Sequence, residues 1–209
     1  MAKGTTFGKK TTPVQKRTGA RAENEKLRVP KGQVRDSIVE AVGRVLAREG
    51  IANTTVEAIA VEAGMSKGGV LYYFPNKKDL LASLVKHYEN DFRERQEALL
   101  AKLPPTPHRN LKSAVMLMVS DMEKNPEAVP NLGSMLDDPD LRQDVLEIKR
   151  QTFKEAIRGA ADPAEVALIL YTVDGLWMDL KFNPMVIPPA KRRAAIKALL
   201  KYIDSLDQR

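Results

Sequence analysis

The chain has 209 residues, with 34 Lys and Arg against 27 Asp and Glu, and a formal net charge of +7 at neutral pH. It has no cysteine, which excludes disulfides and thiolate metal sites and suits a reducing cytoplasm. Neither a bilayer-spanning apolar run nor a signal peptide with an apolar centre is recognisable. We therefore expect a cytoplasmic chain with no membrane partner, composed of a small domain and a larger one.

The first 31 residues carry the whole net charge. From Met1 to Lys31 there are nine Lys or Arg against Glu23 and Glu25, so this segment alone has a charge of +7. Its few apolar residues predict a basic tail, residues 1–31, that is disordered when free. Two roles stay open for it: an arm that gains DNA affinity by counterion release, or a solubilising extension.

The segment from Thr54 to Leu81 has the spacing of two short helices joined by a tight turn. Thr54 and Thr55 offer hydroxyls for a helix N-cap, and Glu57 follows Thr54 by three residues, as a capping box requires. Apolar residues then fall on one side at helical spacing: Val56, Ile59, Ala60 and Ala63. Gly64 can take the left-handed conformation that ends a helix, so this pattern predicts a helix-turn-helix.

The second short helix is predicted from Lys67 to Phe74, with Ser66 as its N-cap. Gly68 and Gly69 each cost roughly 1 kcal/mol relative to Ala inside a helix. One explanation is that a phosphate or a base edge comes close to the backbone where a side chain would block it. The alternative is tight packing within the protein.

Lysines and tyrosines near this helix favour a nucleic-acid partner. Lys67 and Lys77 each lie in a first helical turn, where the macrodipole disfavours cations and a nearby phosphate would reverse that effect. Tyr72 and Tyr73 supply hydroxyls of the kind that bind phosphate oxygens. The alternative is that the lysines are solvated and one tyrosine is core.

The run AIAVEAGMSKGGVLYYFPNKKDLL, residues 58–81, resembles the DNA-binding domain of the TetR family of bacterial transcriptional regulators. The resemblance extends over about residues 34–81. It implies a first helix from Val34 to Ala47, closed by Gly50, and a long fourth helix from Lys77 to about Leu99, capped by Asn76. The core stripe of the first helix would be Ile38, Val39, Val42, Val45 and Leu46.

The resemblance also implies which residues touch DNA and which hold the fold. Val70 and Phe74 match core positions. The candidate DNA-binding residues are Thr54, Thr55, Ser66, Lys67, Gly68, Gly69, Leu71, Tyr72, Tyr73 and Lys77. The implied domains are a helix-turn-helix domain at 32–80 and an all-helical regulatory and dimerisation domain at 81–209.

The second half also has helical periodicity. Pro104, Pro105 and Pro107 mark a break after the fourth helix. Helical patterns follow at Arg109–Lys124, Glu127–Leu136, Leu141–Gly159, Pro163–Phe182 and Pro189–Leu206. We therefore predict an all-α fold with about nine helices.

The last two predicted helices each carry an apolar stripe. The members are Val166, Ile169, Leu170, Val173, Trp177 and Leu180 in one, and Ala195, Ala198, Leu199, Tyr202, Ile203 and Leu206 in the other. The TetR resemblance implies that such a pair packs against its copy in a homodimer as a four-helix bundle. The alternative is that both stripes are intrachain core.

A pocket for a small-molecule effector is a further implication of the resemblance. The candidate lining residues are Met116, Met118, Met122, Met135, Phe153, Tyr171, Asp174, Trp177 and Met178. Methionines adapt to varied apolar ligands, but the same residues are common in ordinary cores. Asp174 interrupts an apolar segment, and pairing with a basic residue of another helix is favoured over binding a cationic ligand.

No catalytic constellation is present in the sequence. It lacks a phosphate-binding glycine loop, a nucleophile elbow and a zinc-binding HExxH motif, and His87 and His108 are poor candidates for catalysis or metal binding. We expect no enzymatic activity, no cofactor and no metal. The expected function is a ligand-responsive homodimeric repressor that binds a palindromic double-stranded operator and is released by a small molecule. Alternatives are an activator of the same fold, a weakly specific architectural DNA-binding protein, or an enzyme or ligand carrier with a vestigial helix-turn-helix.

Overall fold

The computed structural model describes Met1 and residues 30–124, 135, 136, 138, 139, 141–182 and 187–208. In these residues the fold is all-α, with eight helices and no strand. The helices are α1 Lys31–Asn53, α2 Val56–Glu62, α3 Lys67–Tyr73, α4 Lys77–Leu100, α5 Arg109–Lys124, α6 Arg142–Ala156, α7 Pro163–Phe182 and α8 Pro189–Leu206. None of them is both long enough and apolar enough to cross a membrane.

The observed helices match the predicted ones closely. The bounds of α5, α7 and α8 are those that the periodicity predicts. α1 is longer than expected, but its backbone leaves helical geometry at Gly50, with φ 75°, where the sequence predicted its end. The predicted basic tail, residues 1–31, and the predicted helix Glu127–Leu136 lie almost entirely outside the described residues.

The three helices α1, α2 and α3 share a small core with the start of α4. Ile38, Ile59, Val70, Phe74 and Leu80 are all fully buried. This agrees with the core roles expected for Val70 and Phe74. The helices α2 and α3 are therefore held by apolar side chains that point away from the surface.

α4 packs closely against α1 at a glycine. A Cβ atom on Gly43 would lie only 2.7 Å from the hydroxyl oxygen of Tyr88. Burial, together with the nearby Asp91 carboxylate, raises the pKa of Tyr88 to about 12. The absence of a side chain at position 43 is thus what lets the two helices approach.

α5 is the central helix of the second half. It contacts α4, α6, α7 and α8, and its buried stripe follows the i, i+4, i+8 spacing of one helical face. Leu111, Val115, Val119 and Met122 form that stripe. On its polar side Asp121 accepts a bidentate pair of hydrogen bonds from Arg95 of α4, at 2.5 and 3.0 Å. α4 is therefore joined to α5 as well as to α1.

The apolar stripes predicted as a dimer surface lie mostly inside the chain. Val166, Ile169 and Val173 of α7 are at most 2% exposed, and Ile203 and Leu206 of α8 are buried in the same cluster. Four further members of the stripes are partly buried against that core: Leu170, Trp177, Leu180 and Leu199. For the five buried members the expectation of contact with a second subunit is corrected, because they form an intrachain core. For the four partly buried members it stays a prediction.

A different apolar face of α7 is exposed. Leu168, Tyr171 and Met178 are 63%, 73% and 49% exposed and recur at the spacing of one helical face. On α8 the exposed residues include Ala195, Ala198 and Tyr202, the three predicted dimer residues that do remain outside. α7 is apolar around most of its circumference, so periodicity alone could not decide which side faces the core.

Candidate nucleic-acid interface

The two threonines at the start of α2, Thr54 and Thr55, have different roles. The Thr55 hydroxyl caps the helix by accepting a hydrogen bond from the Ala58 N–H at 3.1 Å. Thr54 is fully buried, and its hydroxyl donates to the Gly50 carbonyl oxygen at 2.8 Å. The predicted capping box of Thr54 with Glu57 is therefore wrong, and the buried Thr54 leaves the candidate contact surface.

The turn between α2 and α3 has the predicted left-handed glycine. Gly64 has φ 65°, its N–H donates to the Val61 carbonyl at 3.1 Å, and the Met65 N–H donates to the Ala60 carbonyl at 2.9 Å. These two bonds form a Schellman motif. The local sequence thus sets the angle at which α3 leaves α2.

α3 begins at Lys67 as predicted and ends at Tyr73, one residue before the predicted end. The Ser66 hydroxyl caps it by accepting from the Gly69 N–H at 3.0 Å, and Phe74 ends it in an extended conformation. Val70 anchors its inner side, while Lys67, Gly68 and Tyr72 are exposed. The first turn of α3 is therefore presented on the surface.

The two successive glycines have different surroundings. Apart from its two chain neighbours and the backbone of its own helix, no described residue has an atom within 4 Å of a Cβ atom placed on Gly68. A Cβ atom on Gly69 would lie 3.2 Å from the Ser66 hydroxyl oxygen and 3.3 Å from the terminal methyl of Met65. Packing inside the protein therefore accounts for Gly69, whereas the described surroundings give no such reason for Gly68.

Both candidate lysines have partners within the protein. The Lys67 ammonium lies 2.5 Å from the Glu57 carboxylate of α2, and the hydrogen bond it donates holds the pKa of Glu57 below its ordinary value. The Lys77 ammonium donates to the Ile51 carbonyl oxygen at 2.9 Å, near the end of α1. The unfavourable position of each cation in a first helical turn is thus offset without any ligand.

The end of α3 involves an arginine that the sequence did not indicate. The Arg35 side chain donates to the Tyr73 carbonyl oxygen at 3.2 Å, and its guanidinium carbon lies 4.3 Å from the centroid of the Phe74 ring. The rings of Tyr72 and Tyr73 meet edge to face with centroids 5.1 Å apart. Arg35 and Tyr73 are 38 residues apart, so no short-range pattern could reveal the contact.

A second unpredicted contact orients α2 on α1. Glu62 accepts hydrogen bonds from Arg44 at 2.7 Å and from Arg48 at 3.0 Å. These two donors, Arg44 first, hold the pKa of Glu62 below its ordinary value. The two arginines of α1, each bonded to one carboxylate oxygen of Glu62, position the helix that precedes α3.

The candidate effector residues differ in how far they are buried. Met122 and Met135 are buried, and Met116, Met118, Phe153 and Trp177 are partly buried. Two surface cavities of about 320 and 300 Å³ are present in the described part of the chain, and neither is lined by any of these side chains. Tyr171 and Met178 are 73% and 49% exposed on the outer face of α7. The assignment of the candidate residues to an effector pocket stays a prediction.

Asp174 has the lysine partner that the sequence favoured. Its carboxylate accepts a hydrogen bond from the Lys149 ammonium of α6 at 3.0 Å. Both side chains remain partly exposed, so the carboxylate is paired and solvated rather than buried alone. This pairing accounts for a charged residue within an apolar helix.

The two histidines occupy structural positions. His108 is buried, with its Nδ1 atom 2.8 Å from Asp207, and its backbone N–H donates to the same carboxylate at 2.9 Å. The His87 ring packs edge to face on Tyr88. Among the residues that the structure describes, no group of three His, Asp or Glu side chains is placed to hold a metal ion.

Two family models match most of the chain. The model of bacterial regulatory proteins of the tetR family matches residues 38–84, which include α2 and α3. The model of the tetracyclin repressor-like C-terminal domain matches residues 109–204, from α5 into α8. Both family models thus describe parts of tetracycline-repressor-like regulators.

Known proteins give the same family. The fatty acid metabolism regulator protein of Bacillus subtilis is 31% identical over 122 residues, which are 58% of this chain and 59% of that protein. The transcriptional repressor NicS of Pseudomonas putida is 26% identical over 119 residues, 57% of this chain and 53% of that protein. The matches thus span only between half and three fifths of either relative.

A solved structure shares the fold over most of its length. The fatty acid degradation regulator FadR of Bacillus halodurans superposes with a TM-score of 0.66 at 19% identity, covering 84% of this chain and 96% of that one. The chain therefore belongs to the TetR family of bacterial transcriptional regulators, which are helix-turn-helix DNA-binding proteins and not enzymes.

Proposed function

We propose that this protein is a homodimeric repressor that binds a palindromic operator and is released by a small-molecule effector. The observation that carries the proposal is the exposed first turn of α3, where Gly68 has open space in front of its backbone. Such space admits a phosphate or a base edge, and the caps at Ser66 and Gly64 hold the turn in place.

The proposed DNA contacts are those predicted from the sequence without Thr54. Thr55 and Ser66 stand at helix N-termini, Lys67 and Gly68 lie on the first turn of α3, and Tyr72 extends from its exposed side. Four further residues complete the set: Gly69, Leu71, Tyr73 and Lys77. Lys77 would have to leave the Ile51 carbonyl to reach a phosphate, so we assign it the weakest contribution.

The proposed dimer surface is the exposed face of α7 and α8. Leu168, Tyr171 and Met178 form an apolar face that is unusual on the surface of a monomeric protein. Tyr202 joins the two helices by donating from its hydroxyl to Glu165 at 3.0 Å. A two-fold interface here would present two copies of α3 to half-sites about 34 to 36 Å apart.

We assign operator binding to residues 32–80 and regulation and dimerisation to residues 81–209. α4 runs across this division, with one end on α1 and the other joined to α5 through Arg95 and Asp121. A movement of α5 would therefore reach the recognition helices through a single rigid element.

An apolar effector fits the chemistry of the second half. Met118, Phe153 and Trp177 are only partly buried against the core, and methionine adapts readily to varied apolar ligands. Because one relative is named as a regulator of fatty acid metabolism, fatty acids are the first effectors to test.

The test is a selection of genomic DNA fragments by the purified protein, followed by affinity measurements at one stated salt concentration. A repressor of this kind should prefer the selected palindrome over random duplex by about 10³-fold or more. Equal affinity for both would favour the architectural alternative. Failure to bind any duplex at low salt would favour a vestigial helix-turn-helix.

A further inference from the structure

An exposed carboxylate lies on the surface proposed to meet DNA. Glu57, in the first turn of α2, pairs with the Lys67 ammonium in the first turn of α3 at a distance of 2.5 Å. The two side chains are 62% and 56% exposed. Lys67, the basic residue in the exposed first turn of α3, is therefore already paired with an acid.

The fold gives little reason for this pair. Ion pairs between exposed side chains contribute little to stability because water screens them. α2 and α3 are already joined by the Schellman turn at Gly64, the Ser66 cap and the buried side chains of Ile59 and Val70. The pair should therefore matter more to what binds this surface than to folding.

A carboxylate at this position affects the two kinds of DNA contact differently. A phosphate that approaches Lys67 must compete with Glu57 and is repelled by it, and random DNA offers this surface chiefly phosphates. Base edges in the major groove offer both acceptors for an ammonium and amino donors for a carboxylate. Both members of the pair can therefore find partners at the right base sequence, but not along a phosphate backbone.

We propose that Glu57 is a selectivity residue: by holding Lys67 it weakens phosphate-driven binding to random DNA more than binding to the operator. The inference rests on the proposed DNA-binding function. It assigns a role in discrimination to an acidic residue of α2 that is outside the predicted contact set.

The central variant is Glu57→Gln, which removes the charge and keeps the shape. Freeing Lys67 for one additional phosphate should steepen the log–log salt dependence of random-duplex binding by about 0.9, which is an additional loss of affinity of about 3.5-fold between 50 and 200 mM salt. Operator affinity should rise less, so the ratio of operator to random affinity should fall. Affinities for the selected palindrome and for a scrambled duplex of equal length give this ratio.

Two controls isolate the pair. Glu147→Gln removes the same charge from a comparable pair, in which Arg150 lies 2.6 Å from Glu147 and the side chains are 52% and 61% exposed. It lies on α6 and should leave the ratio unchanged. In a Lys67→Gln background, Glu57→Gln should lose most of its effect on the slope, because no ammonium remains to be freed.

Equal gains on both duplexes, no change in slope, or an undiminished effect without Lys67 would overturn the inference while leaving the proposed function intact. A failure of the proposed function would give a different result. If wild-type protein bound the palindrome and the scrambled duplex equally, the proposed function would fail, and the scrambled duplex alone would still report whether Glu57→Gln strengthens binding to phosphates. Absence of all DNA binding would overturn both proposals.

Discussion

The segment α2–α3 and the pair α7–α8 were equally visible in the sequence, but only in the first did the pattern identify the inward side chains. In α2–α3 the caps at Thr55 and Ser66 and the left-handed Gly64 act within a few residues. In α7 both the inner Ile169 and the outer Leu168 are apolar. A local signal is sufficient where polar and apolar sides differ, and is insufficient where a helix is apolar on both.

The largest expected effect is on stability, and it differs between the neighbouring residues Ile169 and Leu168 of α7. Ile169→Ala should lower the free energy of unfolding by about 2–5 kcal/mol, because it leaves a cavity in the core. Leu168→Ala should change the stability of the monomer little but weaken self-association. Urea denaturation and sedimentation equilibrium measure the two quantities. A dimer weakened by Ile169→Ala but not by Leu168→Ala would restore the original assignment of the stripe.

A somewhat smaller effect is expected where α1 meets α4. Gly43→Ala places a methyl against the Tyr88 hydroxyl and should cost about 1–3 kcal/mol, as overpacked cores do. Tyr88→Phe in the same chain should recover part of the loss, because it removes the atom in conflict. Thermal unfolding of the two variants and the double variant tests this. No recovery in the double variant would contradict the proposed clash.

The glycine pair sharpens the comparison within α3 itself. Gly68→Ala should raise the stability of the free protein by up to about 1 kcal/mol, since alanine favours the helix, and should weaken operator binding by blocking close approach. Gly69→Ala should raise the stability of the free protein less, because its methyl group crowds the Ser66 cap. Denaturation and operator titration of both variants decide the matter. Unchanged operator affinity for Gly68→Ala would remove the backbone-approach explanation.

The smallest effect concerns the loop before α5. Burial raises the pKa of Asp207, but hydrogen bonds from the Thr106 hydroxyl and the His108 backbone outweigh burial and leave the pKa below its ordinary value. A lowered carboxyl pKa stabilises the folded state above the ordinary value of 3.8, and that stability is lost as pH falls through the folded pKa. Asp207→Asn should therefore lose less stability between pH 5 and pH 3, judged by urea midpoints, than the unaltered chain; an equal loss would contradict this.

The contacts that orient the candidate site could not be predicted from the sequence. The bonds of Arg35 to Tyr73, of Glu62 to Arg44, and of Lys77 to the Ile51 carbonyl connect residues between 18 and 38 positions apart. The pairing of Glu57 with Lys67 crosses a turn and leaves no periodic trace. Opposite charges are common in any chain, so only their positions in space reveal which ones meet.

The sequence alone determined the all-α class, the ends of most helices, the turn at Gly64 and the family, because caps, glycines and helical periodicity act over one or two turns. Tertiary structure decided that Thr54 is buried, that Gly69 is packed and Gly68 open, and that Leu168 rather than Ile169 faces outward. The physical reason is the same in each case. Whether a side chain is covered depends on atoms brought by distant segments, and no local pattern specifies them.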